Sequence, residues 1–246
     1  MSETDLIVVA IASLVGSFVK SVTGMGYPLV AIPILTLYIG VESAVVVVAL
    51  PNVFANLLLN LGVRAEYRNT RDLPILVVSS ILGAIVGTFV LVGTPEQPLL
   101  IGLALSIGLF VIQRLRSPEL ELAPATTRRW APVAGSLAGF VQGAVGISGP
   151  VVAMWLHGYR LPKNAYVYSV TAIFLVSGLT QLIVLVFAGE YGRDRLIASG
   201  VALISTLCMI PIGTRLRSRI SGATFERLIL LLLVISSVSL VLKAFR

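Results

Sequence analysis

At 246 residues, with 57% hydrophobic and 12% charged side chains and a mean hydropathy of +1.00, the chain has too little polar surface to cover a soluble globule and reads as an integral membrane protein. Its apolar blocks are long and bounded by arginines, without the alternating polarity of a barrel, so the architecture is all-α and polytopic. The net charge of +7 falls at the ends of those blocks with no stacking aromatics between, which fits topology and excludes nucleic acid as a partner.

Apolar segments are expected near Leu6 to Thr23, Pro28 to Ile39, Ser43 to Val63, Leu73 to Val92 and Pro98 to Ile112. The rhythm returns near Ala131 to Val145, Pro150 to His157, Ala165 to Ala188, Leu196 to Thr214 and Phe225 to Leu242. The acidic start "MSETD" leads into the first block with no small-residue cleavage site behind a short apolar core, so no removed signal peptide is read. The polar stretch "QRLRSPELELAPATTRRW" separates the two sets. It divides the chain into an N-terminal transmembrane repeat over 1–115, a cytoplasmic linker over 116–129 and a C-terminal repeat over 130–246. The single cysteine, Cys208, excludes an internal disulfide and a cysteine-rich metal site, and reads as packing.

The repeat is visible in the letters. "GSFVKSVTGMGYPLVA" lies without gaps over "AGFVQGAVGISGPVVA", matching Phe18, Val19, Gly24, Pro28, Val30 and Ala31 to Phe140, Val141, Gly146, Pro150, Val152 and Ala153. Hydrophobicity alone does not put glycine and proline in register, so an internal duplication is expected, as in many transporters.

As one helix, Leu6 to Tyr38 would run about 50 Å, while the hydrocarbon core is roughly 30 Å thick. The segment therefore breaks, and "TGMGYP" is where glycine dihedrals and a proline at the next first turn permit it. "GISGP" supplies the second break. If each broken element is a re-entrant hairpin, Arg64, Arg68, Arg71, Arg114, Arg116, Arg128, Arg129, Arg160, Lys163, Arg215, Arg217 and Arg219 share one side. Only Arg193, Arg195, Lys243 and Arg246 then lie opposite, a division that fits the positive-inside rule better than a single crossing does. The expected fold is two inverted-topology repeats, each a discontinuous re-entrant helical hairpin plus three transmembrane helices, with both termini outside the cytoplasm.

Two half-helix N-termini approaching one another inside the bilayer each carry unpaired N–H groups and about half a positive charge, a setting made for a small anion. Lys20 adds a full charge, and its counterpart in the repeat is Gln142. The bland reading of Lys20 is snorkelling to an interface. The candidate substrate-binding set is Lys20, Thr23, Gly24, Gly26, Tyr27, Asn52, Asn56, Gln142, Gly146, Ser148, Gly149 and Gln181. Thr23 and Ser148 bring hydroxyls to the breaks, and the glycines let backbone amides approach. Asn52, Asn56 and Gln181 either line the pocket or bond helices together. Ser169 and Thr171 are expected to bond their own helix, and His157 to sit at an interface. No aspartate or glutamate falls inside an expected span, so a carboxylate proton relay is excluded. If a proton gradient drives transport, the proton rides on the anion, Lys20 or His157. No catalytic, metal or phosphate-loop motif is present, so the chain is not read as an enzyme and no cofactor is expected.

The paired motifs "GMGYPLVAIPIL" and "GISGPVVAMWLHG", the "LPNVFANLL" that follows, and the "GT" at Gly87 and Gly213 resemble the TauE/SafE family of sulfite and organosulfonate transporters over nearly the whole chain. The family is usually richer in consecutive glycines at the break. The resemblance implies a multi-pass permease of the bacterial inner membrane that moves a sulfur-containing oxyanion by alternating access. An anion channel and a non-transporting membrane scaffold remain as alternatives, and the letters carry no sign of an oligomeric state.

Overall fold

Prolines open the helices where the missing N–H has no intrahelical partner to lose. The computed structural model describes residues 1–23, 25–116, 123–216 and 222–245. Among them run ten α-helices. The first five are α1 Glu3–Thr23, α2 Tyr27–Ile39, α3 Val41–Gly62, α4 Leu73–Gly93 and α5 Glu96–Arg116. The second five are α6 Pro124–Val145, α7 Gly149–His157, α8 Lys163–Phe187, α9 Arg193–Leu216 and α10 Gly222–Ala244. Pro28, Pro74, Pro124 and Pro150 each occupy the first turn of α2, α4, α6 and α7. Every expected apolar segment is helical. Residues 124–129, assigned from composition to the linker, instead form the first turns of α6; residues 117–122 lie outside the described residues. A 3₁₀ segment, Arg64–Asn69, follows α3 with no apolar pattern to announce it.

Among the described residues, six helices are long and apolar enough to cross a membrane: α1, α3, α4, α5, α8 and α9. α1, at 21 residues, is about 31 Å long. It is therefore long enough to cross by itself, which its reading as half of a re-entrant element did not anticipate. Outward-facing positions carry large apolar side chains such as Leu82, Phe89, Leu105, Phe187 and Ile204, while Ser13, Ser17, Thr88, Ser177 and Thr206 are buried between helices. That inversion of the usual soluble pattern suits a lipid surround.

α4 lies along α6, α1 along α9, α5 along α10, and α3 between α8 and α9. The α4–α6 seam is the tightest. A Cβ built on Gly139 would lie 2.0 Å from Ser80 O and one on Gly143 2.4 Å from Ala84 O. In return, a Cβ on Gly83 would fall 1.9 Å from Ser136 O and one on Gly87 2.1 Å from Phe140 O. The two backbones are in contact with no side chain between them, the approach that small residues at every fourth position permit. The α1–α9 seam is bonded through side chains instead: Ser17 Oγ donates to Thr206 Oγ1 at 2.9 Å.

Charges sort by the end of the bundle. At one end Arg195, on the first turn of α9, pairs with Glu42 at the start of α3 and with Glu190, and Asp194 beside it takes the Met1 amine. Lys243 donates to Thr36 O at 2.8 Å and to Glu96 Oε1 at 3.0 Å at this same end. At the other end Arg71 donates to Thr127 Oγ1 on the first turn of α6 at 2.6 Å and stacks over the Tyr159 ring, just past α7, at 4.8 Å. Burial pushes the Tyr159 hydroxyl up to about 12, so it stays protonated while Trp155 Nε1 donates to it at 2.8 Å. Arg64, Arg68, Arg114, Arg116, Arg128, Arg129, Arg160, Lys163 and Arg215 belong with Arg71 by the helix ends that carry them. Arg217, Arg219 and Arg246 lie outside the described residues.

Candidate functional site

The two breaks in the chain meet. Gly26 starts α2 at φ +117° and ψ −3°, a left-handed conformation that a β-carbon resists. Gly146 ends α6 at φ +73°, and a Cβ there would lie 2.5 Å from Ile32 Cδ1 of α2. The end of α6 is thereby packed against the helix that follows the other break. Neither α2 nor α7 has a side chain capping its first turn. Ser148 occupies the capping position of α7, yet its hydroxyl donates to Gln142 Oε1 at 2.9 Å. Among the described residues no side chain caps the first-turn N–H groups of either helix, and the positive ends of two helix dipoles lie behind them.

Lys20, on the last turn of α1, is 1% exposed. Its Nζ donates to Asn56 Oδ1 at 2.7 Å and Asn52 Oδ1 at 3.1 Å, two oxygens one turn apart on α3. Asn56 Nδ2 donates in turn to Asn52 O at 2.9 Å, which fixes the amide with its oxygen toward the lysine. Both acceptors are neutral, and among the described residues no carboxylate pairs with Lys20. An ammonium has three donors, so one is left over.

The aligned position in the second half is bonded in a parallel way but without charge. Gln142 Nε2 donates to Gln181 Oε1 on α8 at 3.1 Å, and Gln181 Nε2 donates back to Gln142 O at 2.9 Å and Gly143 O at 3.1 Å. Where α1 is tied to α3 through a lysine and two asparagines, α6 is tied to α8 through two glutamines.

Between these pairs lies a cavity of about 30 Å³, room for about two water molecules. Lys20, Asn52, Gln142 and Ser148 are its polar lining, Gly26, Pro28, Gly146 and Gly149 bring helix starts and ends to it, and Met25, Leu29, Phe110, Ile147 and Phe174 form apolar walls. Of the residues expected from sequence, Lys20, Gly26, Asn52, Gln142, Gly146, Ser148 and Gly149 are therefore brought together at one place. Asn56 and Gln181 stand one hydrogen bond behind the lining. Tyr27 is fully buried, but its hydroxyl pairs with Ser13 Oγ at 3.3 Å on α1, away from the cavity. The side chain of Thr23 and the whole of Gly24 lie outside the described residues. Ser169 and Thr171 bond their own helix, to Ala165 O at 2.8 Å and Val167 O at 2.7 Å. His157 closes α7 at the end remote from Ser148. Phe110, Phe174, Met25 and Ile147 escaped sequence reasoning, because an apolar residue in an apolar segment carries no mark of the face it presents.

Six helices among the described residues are able to cross a bilayer, and a buried lysine and the starts of two further helices line one cavity among them; together they define a multi-pass membrane protein. The family model Sulfite exporter TauE/SafE matches residues 8–240, and the chain belongs to that family, whose members are membrane transporters of sulfur anions. Comparison with curated proteins and with solved structures returns no match.

Proposed function

We propose that the chain is a secondary transporter of the bacterial inner membrane that moves sulfite, or an organosulfonate of similar size, by alternating access. The observation that carries this reading is Lys20: a cation 1% exposed, held by two neutral oxygens and facing a cavity into which two uncapped helix starts also point. An oxyanion there receives the remaining ammonium N–H, first-turn amides of α2 and α7, and amide donors of Asn52 and Gln142. Ser148 joins them by turning its hydroxyl from Gln142. The roughly 30 Å³ of space favours a compact head such as sulfite over a sulfonate with a long tail. Phe110 and Phe174 stand where such a tail would go.

The reading of two oppositely oriented repeats draws support from the contacts at the two ends. Asp194 and Arg195, neighbours on α9, reach Met1 just before α1 and Glu42 just after α2, so that α1 and α2 begin and end together. Arg71 reaches the start of α6 and the residue just past α7, at the opposite end. The helix partners also exchange between halves: α4 on α6 answers α1 on α9, and α2 with α10 answers α5 with α7. Rocking of one repeat against the other would open the cavity alternately to either side.

The test is thermal unfolding of the detergent-purified protein with sulfite, taurine, isethionate, sulfoacetate, sulfate and chloride, beside Lys20→Met. Saturation at a hundredfold over Kd is worth about 2.7 kcal/mol, which raises Tm by roughly 5–10 °C for a chain of this size. Sulfite should give that shift in the wild type and none in Lys20→Met. A wild type indifferent to every anion refutes the reading, and a mutant that responds in full refutes the placement of the site.

A further inference from the structure

Among the described residues, Lys20 is the one titratable side chain lining the cavity, and its surroundings give it a second task. Lys20 donates to two oxygens, those of Asn52 and Asn56. A neutral amine has two N–H donors and a lone pair; an ammonium has three N–H donors. The two asparagine oxygens therefore take both N–H donors of the neutral amine and keep Nζ in place in both forms. Protonation adds its third donor on the side of the cavity, where the anion is received.

Among the described residues, the neighbouring helices offer nothing else that could balance the charge. α2 presents Tyr27, bonded to Ser13. α3 presents Asn52 and Asn56, and its one carboxylate, Glu42, is at the far start of the helix with Arg195. α9 presents Thr206, while its Cys208 and Arg215 are exposed. α5 contributes Phe110, with Arg114 a turn further toward the basic end, and α6, α7 and α8 contribute Gln142, Ser148, Phe174 and Gln181. A buried ammonium without an anion is costly, and so is a buried anion without the ammonium. Each makes the other favourable, which is linkage between proton and anion at one site.

We infer that Lys20 carries the coupling proton, so that one proton and one monovalent anion are bound, moved and released together, and the empty cavity returns with Lys20 as the neutral amine. On the entry side a proton from water joins the amine lone pair as the anion enters; on the exit side the anion leaves and the proton returns to water. No net charge crosses in either half of the cycle. The inference rests on the anion site proposed above.

The test uses the full chain in proteoliposomes with methanesulfonate, a compact anion that stays ionised and cannot itself carry the proton. An inward gradient of one pH unit should drive about tenfold accumulation, since one unit corresponds to a tenfold ratio at equilibrium. A pH dye inside should report one proton entering per anion, and a membrane potential should leave the flux unchanged. Lys20→Arg, which keeps its charge at every pH, should lose the pH-driven accumulation, and whatever methanesulfonate it still moves should bring no proton with it. Net uptake of methanesulfonate by the wild type without proton entry overturns the inference while leaving the anion site intact, and this arm needs no mutant to fold. Accumulation by Lys20→Arg equal to wild type overturns it as well. Absence of any exchange of methanesulfonate or sulfite by the wild type refutes the transport reading beneath it.

Discussion

Gly139→Ala puts one methyl group at the tightest point of the α4–α6 seam. The new Cβ would lie 2.0 Å from Ser80 O, 2.7 Å from Ser80 C and 2.8 Å from Ser80 Cα. All three are backbone atoms, so no side chain can rotate away and the helices themselves must part by about 1 Å or more. Overpacking of this kind costs roughly 1–3 kcal/mol, and Tm falls by about 2–4 °C per kcal/mol at this size, which gives a loss of about 2–12 °C. Gly108→Ala on α5 is the control, because a Cβ there meets nothing within 4 Å. Relief of glycine's backbone entropy should stabilise that variant by about 0.5–1 kcal/mol. Both are read as apparent Tm at one scan rate in one detergent, since membrane proteins often unfold irreversibly. Equal shifts in the two variants, or a Gly139→Ala that melts at or above wild type, would refute backbone contact at this seam.

Asn56→Leu removes the shorter of the two bonds to Lys20, 2.7 Å; it should destabilise by about 1–3 kcal/mol and weaken the sulfite-dependent rise in Tm. Phe110→Ala and Phe174→Ala open the apolar wall of the cavity and should let isethionate or taurine raise Tm where they do not in wild type, with sulfite retained. Arg195→Gln leaves Glu42 and Glu190 without their shared partner. The cluster is partly exposed, so the cost should stay near 1 kcal/mol and shrink with added salt, measured as Tm at low and high ionic strength.

What the sequence discloses is mostly a matter of backbone chemistry. The starts of α2 and α7 were legible because proline and glycine mark them with stereochemistry that tertiary packing does not override. The alignment of Lys20 with Gln142 was legible for the same reason, since Gly24–Pro28 and Gly146–Pro150 lock the register. Side-chain direction was less accessible. Tyr27 adjoins the break, yet turns away because Gly16 leaves room for its ring: a Cβ on Gly16 would sit 3.0 Å from Tyr27 Cδ2. Phe110 faces the cavity through the placement of α5, which no local pattern encodes. Residues 124–129 looked like linker by polarity, although Pro124 at a first turn followed by alanine and arginines is compatible with a helix start. The glycines of the α4–α6 seam went unread as a pattern, because nothing local says which helix they meet.

The alignment also makes an internal comparison available. Ser13, Ser17 and Ser21 of α1 stand where α6 has Gly135, Gly139 and Gly143, and the two seams differ accordingly. On α6 the missing side chains bring α4 to backbone contact; on α1 the hydroxyl of Ser17 bridges to Thr206 at 2.9 Å. The same final residue at aligned positions should then have unequal effects. Ser17→Ala deletes one hydrogen bond between helices, a loss of about 0.6–1.7 kcal/mol in a membrane interior, and adds no atom to the seam. Gly139→Ala deletes nothing and adds one atom that has nowhere to go. Contacts made by backbones are all-or-none, whereas a bridge between hydroxyls can be lengthened or remade. If one half of the chain moves against the other, the displacement is therefore expected at α1–α9. Spin labels placed on the outer faces of α1 and α9 should change their separation on adding sulfite, while a pair on α4 and α6 should not. A change confined to the glycine seam would reverse this assignment of the rigid and the yielding contact.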